Sequence, residues 1–198
     1  GAGGVRAGPA GPGQTRVKGI AMKIALLAAA ALVASSLAAE ADPDDKSSFE
    51  PVQYEAQKVL YDFNFDAPLD GVRALGFIRN HIKAAKEFGD FEGSKFVVVA
   101  HGNELHGFSR LNRAAFPDVY DAVKELADEG VEFHICRNAA KGRGYAPDEF
   151  YDLFTVVPAA VIDIAKYENA GYSYMYPALT PRMNRDDVIA KYPELELQ

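Results

Sequence analysis

Residues 95–100 read KFVVVA, a continuous apolar run that stops at the polar turn HGNELH, residues 101–106. Six residues are too few for a buried helix, and apolar side chains at both odd and even positions imply that both faces of the segment are covered. That is the pattern of a central strand in a parallel sheet. The flanking segments supply its neighbours. Residues 59–65 (VLYDFNF) combine β-branched and aromatic side chains and are followed by Pro68, Asp70 and Gly71, the signature of a strand giving way to a helix start. In that helix Val72, Leu75, Ile78, Ile82, Ala85 and Phe88 recur at three- to four-residue spacing, with Arg79, Lys83, Lys86 and Glu87 opposite and Gly89 as the stop. His81, beside Arg79 and Lys83, is expected on the solvated side.

Beyond the polar turn, a short segment around residues 108–115 leads into a helix with Pro117 in its first turn. Val119, Val123 and Leu126 line one side of it and Gly130 closes it. Residues 131–136 (VEFHIC) read as the third strand. Pro147 and Asp148 open a short helix to about Leu153, and Pro158 begins another, stopped by Gly171, whose apolar side includes Val161, Ile164 and Ala165. Residues 172–176 (YSYMY) read as the last core strand, its tyrosines packed against helices or forming a seam between subunits. Strands separated by helix-length segments require right-handed crossovers and a sheet covered on both faces. The expected architecture is a three-layer α/β/α sandwich with a mostly parallel sheet over residues 55–177. A flexible segment, 42–54, precedes it and a charged C-terminal arm, 178–198, follows.

The chain has 198 residues, with 21 basic and 28 acidic side chains, but the charges are unevenly spread. Arg6, Arg16, Lys18 and Lys23 fall in a stretch without acids, and residues 24–39 (IALLAAAALVASSLAA) carry no charge at all. Such a run is short for a membrane span of about 20 residues and reads as the core of a signal peptide, residues 22–41, with Ala39-Glu40-Ala41 as the cleavage pattern. Residues 1–21 are then an upstream extension, and the mature chain is expected to begin near Asp42 in the periplasm or outside the cell, without stable membrane insertion. From residue 42 onward 17 basic side chains stand against 27 acidic ones, a balance that disfavours nucleic acid. The single cysteine, Cys136, admits no internal disulfide, so in an oxidising compartment it is either buried and inert or retained for its chemistry.

Ligands in such sheets sit at the carboxyl ends of the strands. Two segments fall there: His101 to His106 after KFVVVA, and Cys136 to Gly144 after VEFHI. Neither contains a phosphate loop or dinucleotide fingerprint, and no cofactor is implied. Arg137, Lys141 and Arg143 form a positive island beside Cys136 in an acidic chain, and nearby cations favour a thiolate, the nucleophilic form of the thiol. Asn138, Gly102 and Asn103 can add polar contacts for an anion at the same edge, and Glu104 a polar contact of its own, unless these loop residues serve solvation alone. His101 is a candidate proton acceptor for the thiol. Alternatively His101 and His106 could join Cys136 in a zinc- or copper-type cluster, although the spacing does not specify one and no metal is assigned. His134, on the strand face of Cys136, is expected to pack under a helix.

The segments VVVAHGNELHGF, GVEFHICRNAAKGRGYAPDEF and VVPAAVIDIAKYENAGYSYMYP, in that order, resemble the DsrE/DsrF-like family over about residues 55–177. The resemblance implies a small flavodoxin-like α/β protein that forms trimers or hexamers. It also implies, from the TusD and DsrE sulfurtransferase subunits, a cysteine that carries sulfur as a persulfide at a strand end and is followed by an Arg-Gly pair. Cys136 and Arg143-Gly144 occupy those places. The leader sets this chain with an exported, single-type branch, with a sulfur donor or acceptor protein, or a small sulfur species, as partner. A non-enzymatic anion- or metal-binding oligomeric module with an inert thiol is the alternative.

Overall fold

The computed structural model describes residues 43–195. The expected upstream extension, 1–21, and the expected signal peptide, 22–41, lie outside the described residues. The regular elements described below all lie in the compact unit that begins at Ser48. Its strands are β1 (Lys58–Phe63), β2 (Lys95–Ala100), β3 (Glu132–Cys136), β4 (Phe154–Val157) and β5 (Ser173–Met175). They form an all-parallel sheet in the order β4-β3-β2-β1-β5. Its helices are α1 (Asp70–Phe88), α2 (Leu105–Phe108), α3 (Val119–Asp128), α4 (Arg137–Gly142), α5 (Ala160–Asn169) and α6 (Arg185–Lys191). Among the described residues no helix is long and apolar enough to cross a membrane.

Strand alternation divides the interior into two layers. Val59, Tyr61 and Phe63 of β1, with Phe96, Val98 and Ala100 of β2, pack with Leu75 and Ile78 of α1 and Val123 and Leu126 of α3. The alternate positions Leu60, Val97, Val99 and Cys136 form a second, smaller cluster with Ala160 and Tyr167 of α5. Helices therefore lie on both sides of the sheet, giving the α/β sandwich expected from the periodicity of residues 59–136. The covering is unequal: α1 and α3 pack together on one side, and α5 lies against β1 and β2 on the other.

Several local expectations are corrected. A strand, β4, occupies residues 154–157, where none was expected, and the helix placed before it is only a single 3-10 turn, Pro147–Glu149. The stretch after Cys136, read as a loop, is the short helix α4. In α5 the sheet-facing positions are Ala160, Asp163 and Tyr167, whereas Val161 and Ile162 are 73% and 58% exposed. The helix is thus rotated from its expected apolar side, because burying Asp163 against His134 takes precedence over burying Val161. β5 is an edge strand paired with β1 alone, all three of its residues exposed, so Tyr174 and Tyr176 are not core side chains.

His81 is likewise not a solvated residue. Its Nδ1 lies 2.8 Å from the Tyr61 hydroxyl and its Nε2 2.6 Å from Gln57 Oε1. Burial holds its pKa below the ordinary histidine value. The unfolded chain therefore binds this proton more readily than the folded one, so the stability His81 contributes is present above the unfolded value and is lost as pH falls through the folded one. The denaturant midpoint is expected to decline as pH is lowered from about 7 to about 5. His81→Gln should flatten that limb, and an unchanged slope in the variant would remove His81 from this role.

Candidate functional site

Cys136 is the last residue of β3 and the N-cap of α4, with its sulfur accepting the Ala139 N–H at 3.3 Å. Its side chain belongs to the α5-facing cluster, and the residue is 5% exposed. The helix it caps has no apolar periodicity. It forms because Ala139 and Ala140 are strong helix formers and Ala140 is buried against the larger core. Arg143 ends it by turning its N–H onto the Ala139 and Ala140 carbonyls, and Gly144, at φ 85°, reverses the chain there, a conformation that favours glycine.

Of the cations foreseen around the sulfur, Arg143 is the one built into the scaffold. Its Nε donates to Asn103 Oδ1 at 3.1 Å and its Nη1 to the Ala139 carbonyl at 3.1 Å, while Asn103 Nδ2 donates to the Asp66 carbonyl. This chain of bonds ties the end of α4 to the turns that follow β2 and β1. Arg137, Asn138 and Lys141 are exposed on α4.

The β2–β3 register pairs Ala100 with Ile135, so His101 and Cys136 occupy the next step, side by side at adjacent strand ends. His101 Nε2 lies 2.7 Å from Asp62 Oδ1, and the other oxygen of Asp62 accepts the Tyr174 hydroxyl at 2.5 Å. Burial alone would raise the Asp62 carboxyl. The hydrogen bonds from His101 and Tyr174, with the positive charge that His101 carries when protonated, outweigh it and hold the carboxyl below the ordinary value. The same hydrogen bond, aided by burial, pushes the Tyr174 hydroxyl up to about 12. Tyr174, Asp62, His101 and Cys136 thus form a row across β5, β1, β2 and β3 at the carboxyl edge of the sheet.

Beneath this row is Glu104, which the sequence offered as a loop polar group and which is fully buried. Its two oxygens accept the Phe65 N–H at 2.9 Å and the Gly102 N–H at 2.7 Å. Burial raises its carboxyl above the usual range, against the lowering effect of those N–H groups and of His101. Gly102 must be glycine for a related reason: a Cβ there would meet the Phe65 nitrogen at 2.3 Å and Glu104 Oε2 at 2.4 Å. The Gly102 N–H is therefore committed to Glu104.

His106 turns away from the row and bonds the Tyr145 hydroxyl at 2.8 Å. The contemplated cluster of His101, His106 and Cys136 does not form, and among the described residues no group of three or more His, Cys, Asp or Glu could hold a metal ion. His134 packs under α5, with Nδ1 2.6 Å from Asp163 Oδ2. Asp62 and Tyr174 were not foreseen in the site. The available signal for Asp62 was an acid in the middle of an apolar strand, since such a group is rarely buried without a partner.

The model of the DsrE/DsrF-like family matches residues 74–177, more than half of the chain. The structure of MTH1491, a protein of unknown function from Methanobacterium thermoautotrophicum, superposes with a TM-score of 0.50 at 22% identity, covering 61% of this chain and 99% of that one. BT1422, a conserved protein of unknown function from Bacteroides thetaiotaomicron, gives a TM-score of 0.45 at 14% identity, covering 61% and 94%. No curated protein matches the chain.

Proposed function

Since the chain belongs to the DsrE/DsrF-like family, we propose that it is a sulfur carrier or sulfurtransferase in which Cys136 holds one sulfur atom as a persulfide. The observation that carries this reading is the position of the sulfur: at the carboxyl end of a strand, accepting a backbone N–H at the start of a helix, and next to His101 in the strand register. In the transfer, the Cys136 thiolate attacks the outer sulfur of a donor persulfide. The donor's S–S bond breaks, the donor leaves as a thiolate, and its terminal sulfur remains bonded to Cys136. Delivery is the same displacement with an acceptor thiolate attacking the outer sulfur, so no oxidant or reductant is consumed. Arg143 and Lys141 supply positive charge near the anionic sulfur, and Arg137, Asn138 and Asn103 offer further polar contacts.

The proposal places this activity in the periplasm or outside the cell, with the working form a homo-oligomer, a trimer or hexamer. Exposed Val161 and Ile162 on α5, and the unpaired edge of β5, support self-association on the thinly covered side of the sheet. The low exposure of Cys136 favours one second reading, an oligomeric anion- or metal-binding module whose thiol is inert. Intact-mass measurement after exposure to a small persulfide donor separates the two. Native protein is expected to gain about 32 Da, reversed by a thiol acceptor, and Cys136→Ser to gain nothing. Native protein that stays unmodified, while the denatured chain is readily alkylated, would establish the inert thiol.

A further inference from the structure

We propose that Asp62 is a positioning residue: held between His101 and Tyr174, it fixes the His101 ring with the proton on Nε2 and the lone pair on Nδ1, so that His101 takes up the thiol proton of Cys136. The inference rests on the reading of Cys136 as the sulfur acceptor and adds to it the group that prepares the base.

Three features of the site support it. Asp62 is an acid in a strand whose neighbours are all apolar, it is only 9% exposed, and both its oxygens are used, in different directions. Its partners are not held there by core packing: Tyr174 is 47% exposed on an edge strand, and His101 lies beyond the end of β2. Finally, an ionised carboxylate can only accept hydrogen bonds, so the imidazole nitrogen that meets it must carry the proton. In the neutral ring the basic lone pair is then on Nδ1. An acid that orients a histidine in this way stabilises the imidazolium without taking up the proton itself.

The step is a single proton transfer. The S–H bond of Cys136 breaks, its electron pair stays on sulfur as thiolate, and the proton bonds to Nδ1 of His101. The resulting imidazolium faces the Asp62 carboxylate. Of the titratable groups around His101, Asp62 on β1 bonds it directly, Glu104 in the turn after β2 interacts with it electrostatically, Tyr174 on β5 acts through Asp62, and Cys136 on β3 is its neighbour in the strand register. Asp62→Asn keeps the shape of the side chain but permits its amide to donate to Nε2, which would move the ring proton to Nδ1 and remove the base.

The test uses the full chain and iodoacetamide as probe, with alkylation of Cys136 followed across pH. Asp62→Asn is expected to slow alkylation at neutral pH by roughly tenfold to a hundredfold and to displace the profile to higher pH, with Asp62→Glu restoring part of the rate. Nitrogen-15 NMR of the wild-type imidazoles reads the tautomer without any substitution, so the idea stays testable even if Asp62→Asn fails to fold. His101 protonated at Nε2 supports the proposal; His101 protonated at Nδ1, or an Asp62→Asn profile superimposable on wild type, overturns it. Persulfide loading measured by mass on the same proteins keeps the two ideas apart. An Asp62-dependent alkylation rate without loading retains the positioning role and rejects the sulfur carrier, whereas loading at an unchanged rate in Asp62→Asn does the reverse.

Discussion

Replacing Glu104 by alanine is expected to lower the thermal midpoint by about 10 °C, through loss of stability on the order of 3–5 kcal/mol. The carboxylate is fully buried and accepts the backbone N–H groups of Phe65 and Gly102, so its removal leaves two buried donors without partners as well as a cavity. Glu104→Gln should fall between the two, because one oxygen survives while its amide would set a donor against a donor. The pH dependence has a definite sign. Burial raises the folded-state pKa of this acid, so the folded chain binds its proton more tightly than the unfolded one. The stability it contributes is fully present below the unfolded value and declines as pH rises through the folded one. The gap between wild type and Glu104→Ala should therefore widen as pH is lowered from neutrality toward about 4. Calorimetry at a few pH values decides the matter, and a change in midpoint of less than about 2 °C would mean that Glu104 is dispensable to the turn.

The second large effect is expected at Asp163. Its contact with His134 is 2.6 Å long, both residues are buried, and the pair joins α5 to β3. Removing one partner of a buried pair leaves the other polar group stranded, so Asp163→Ala should destabilise the fold by about 3 kcal/mol. Replacing both partners by leucine should recover much of that loss, since burying an apolar pair avoids the desolvation that the polar pair requires. A second readout follows from position. Ala160, at the start of the same helix, packs in one cluster with Cys136, so loosening α5 should speed alkylation of the native thiol. Urea titration together with the alkylation rate tests both. Unchanged values in Asp163→Ala would show that α5 is held by its apolar contacts alone.

The parts of the fold legible in the sequence are those in which one periodicity dominates. β2 is legible at residues 95–100 because every position after Lys95 is apolar, and α1 by a stripe from Val72 to Phe88 that the structure buries or half-buries. β4 was not seen because FTVV is four residues long and runs straight into Pro158, which reads as a helix start. α5 is legible as a helix but not in its rotation, since Val161, Ile164 and Ala165 read as the apolar side and Asp163 does not, until His134 is known to lie opposite. Of the candidate site, the places of Cys136 and His101 at strand ends are legible in the sequence. Glu104, His81 and Asp62 were misread or passed over for one shared reason. Each is a polar group made tolerable in the interior by at least one partner 20 to 112 residues away, and no local window of sequence contains both members of such a distant pair.

The edge position of β5 also bears on how the protein folds. Strands β1 to β4 are laid down in order, each beside its predecessor, whereas the chain must cross the width of the sheet from β4 before β5 can pair with β1. Tyr174 and Asp62, bonded in the finished structure, are separated by 112 residues, a loop whose closure is entropically unfavourable until the intervening strands are in place. Docking of β5 is therefore a late event in folding, and its short ladder to β1 is an early one to open. Opening of β5 would release Tyr174 from Asp62 and leave the carboxylate bonded to His101 alone, so the clamp on Asp62 is only as stable as that short ladder.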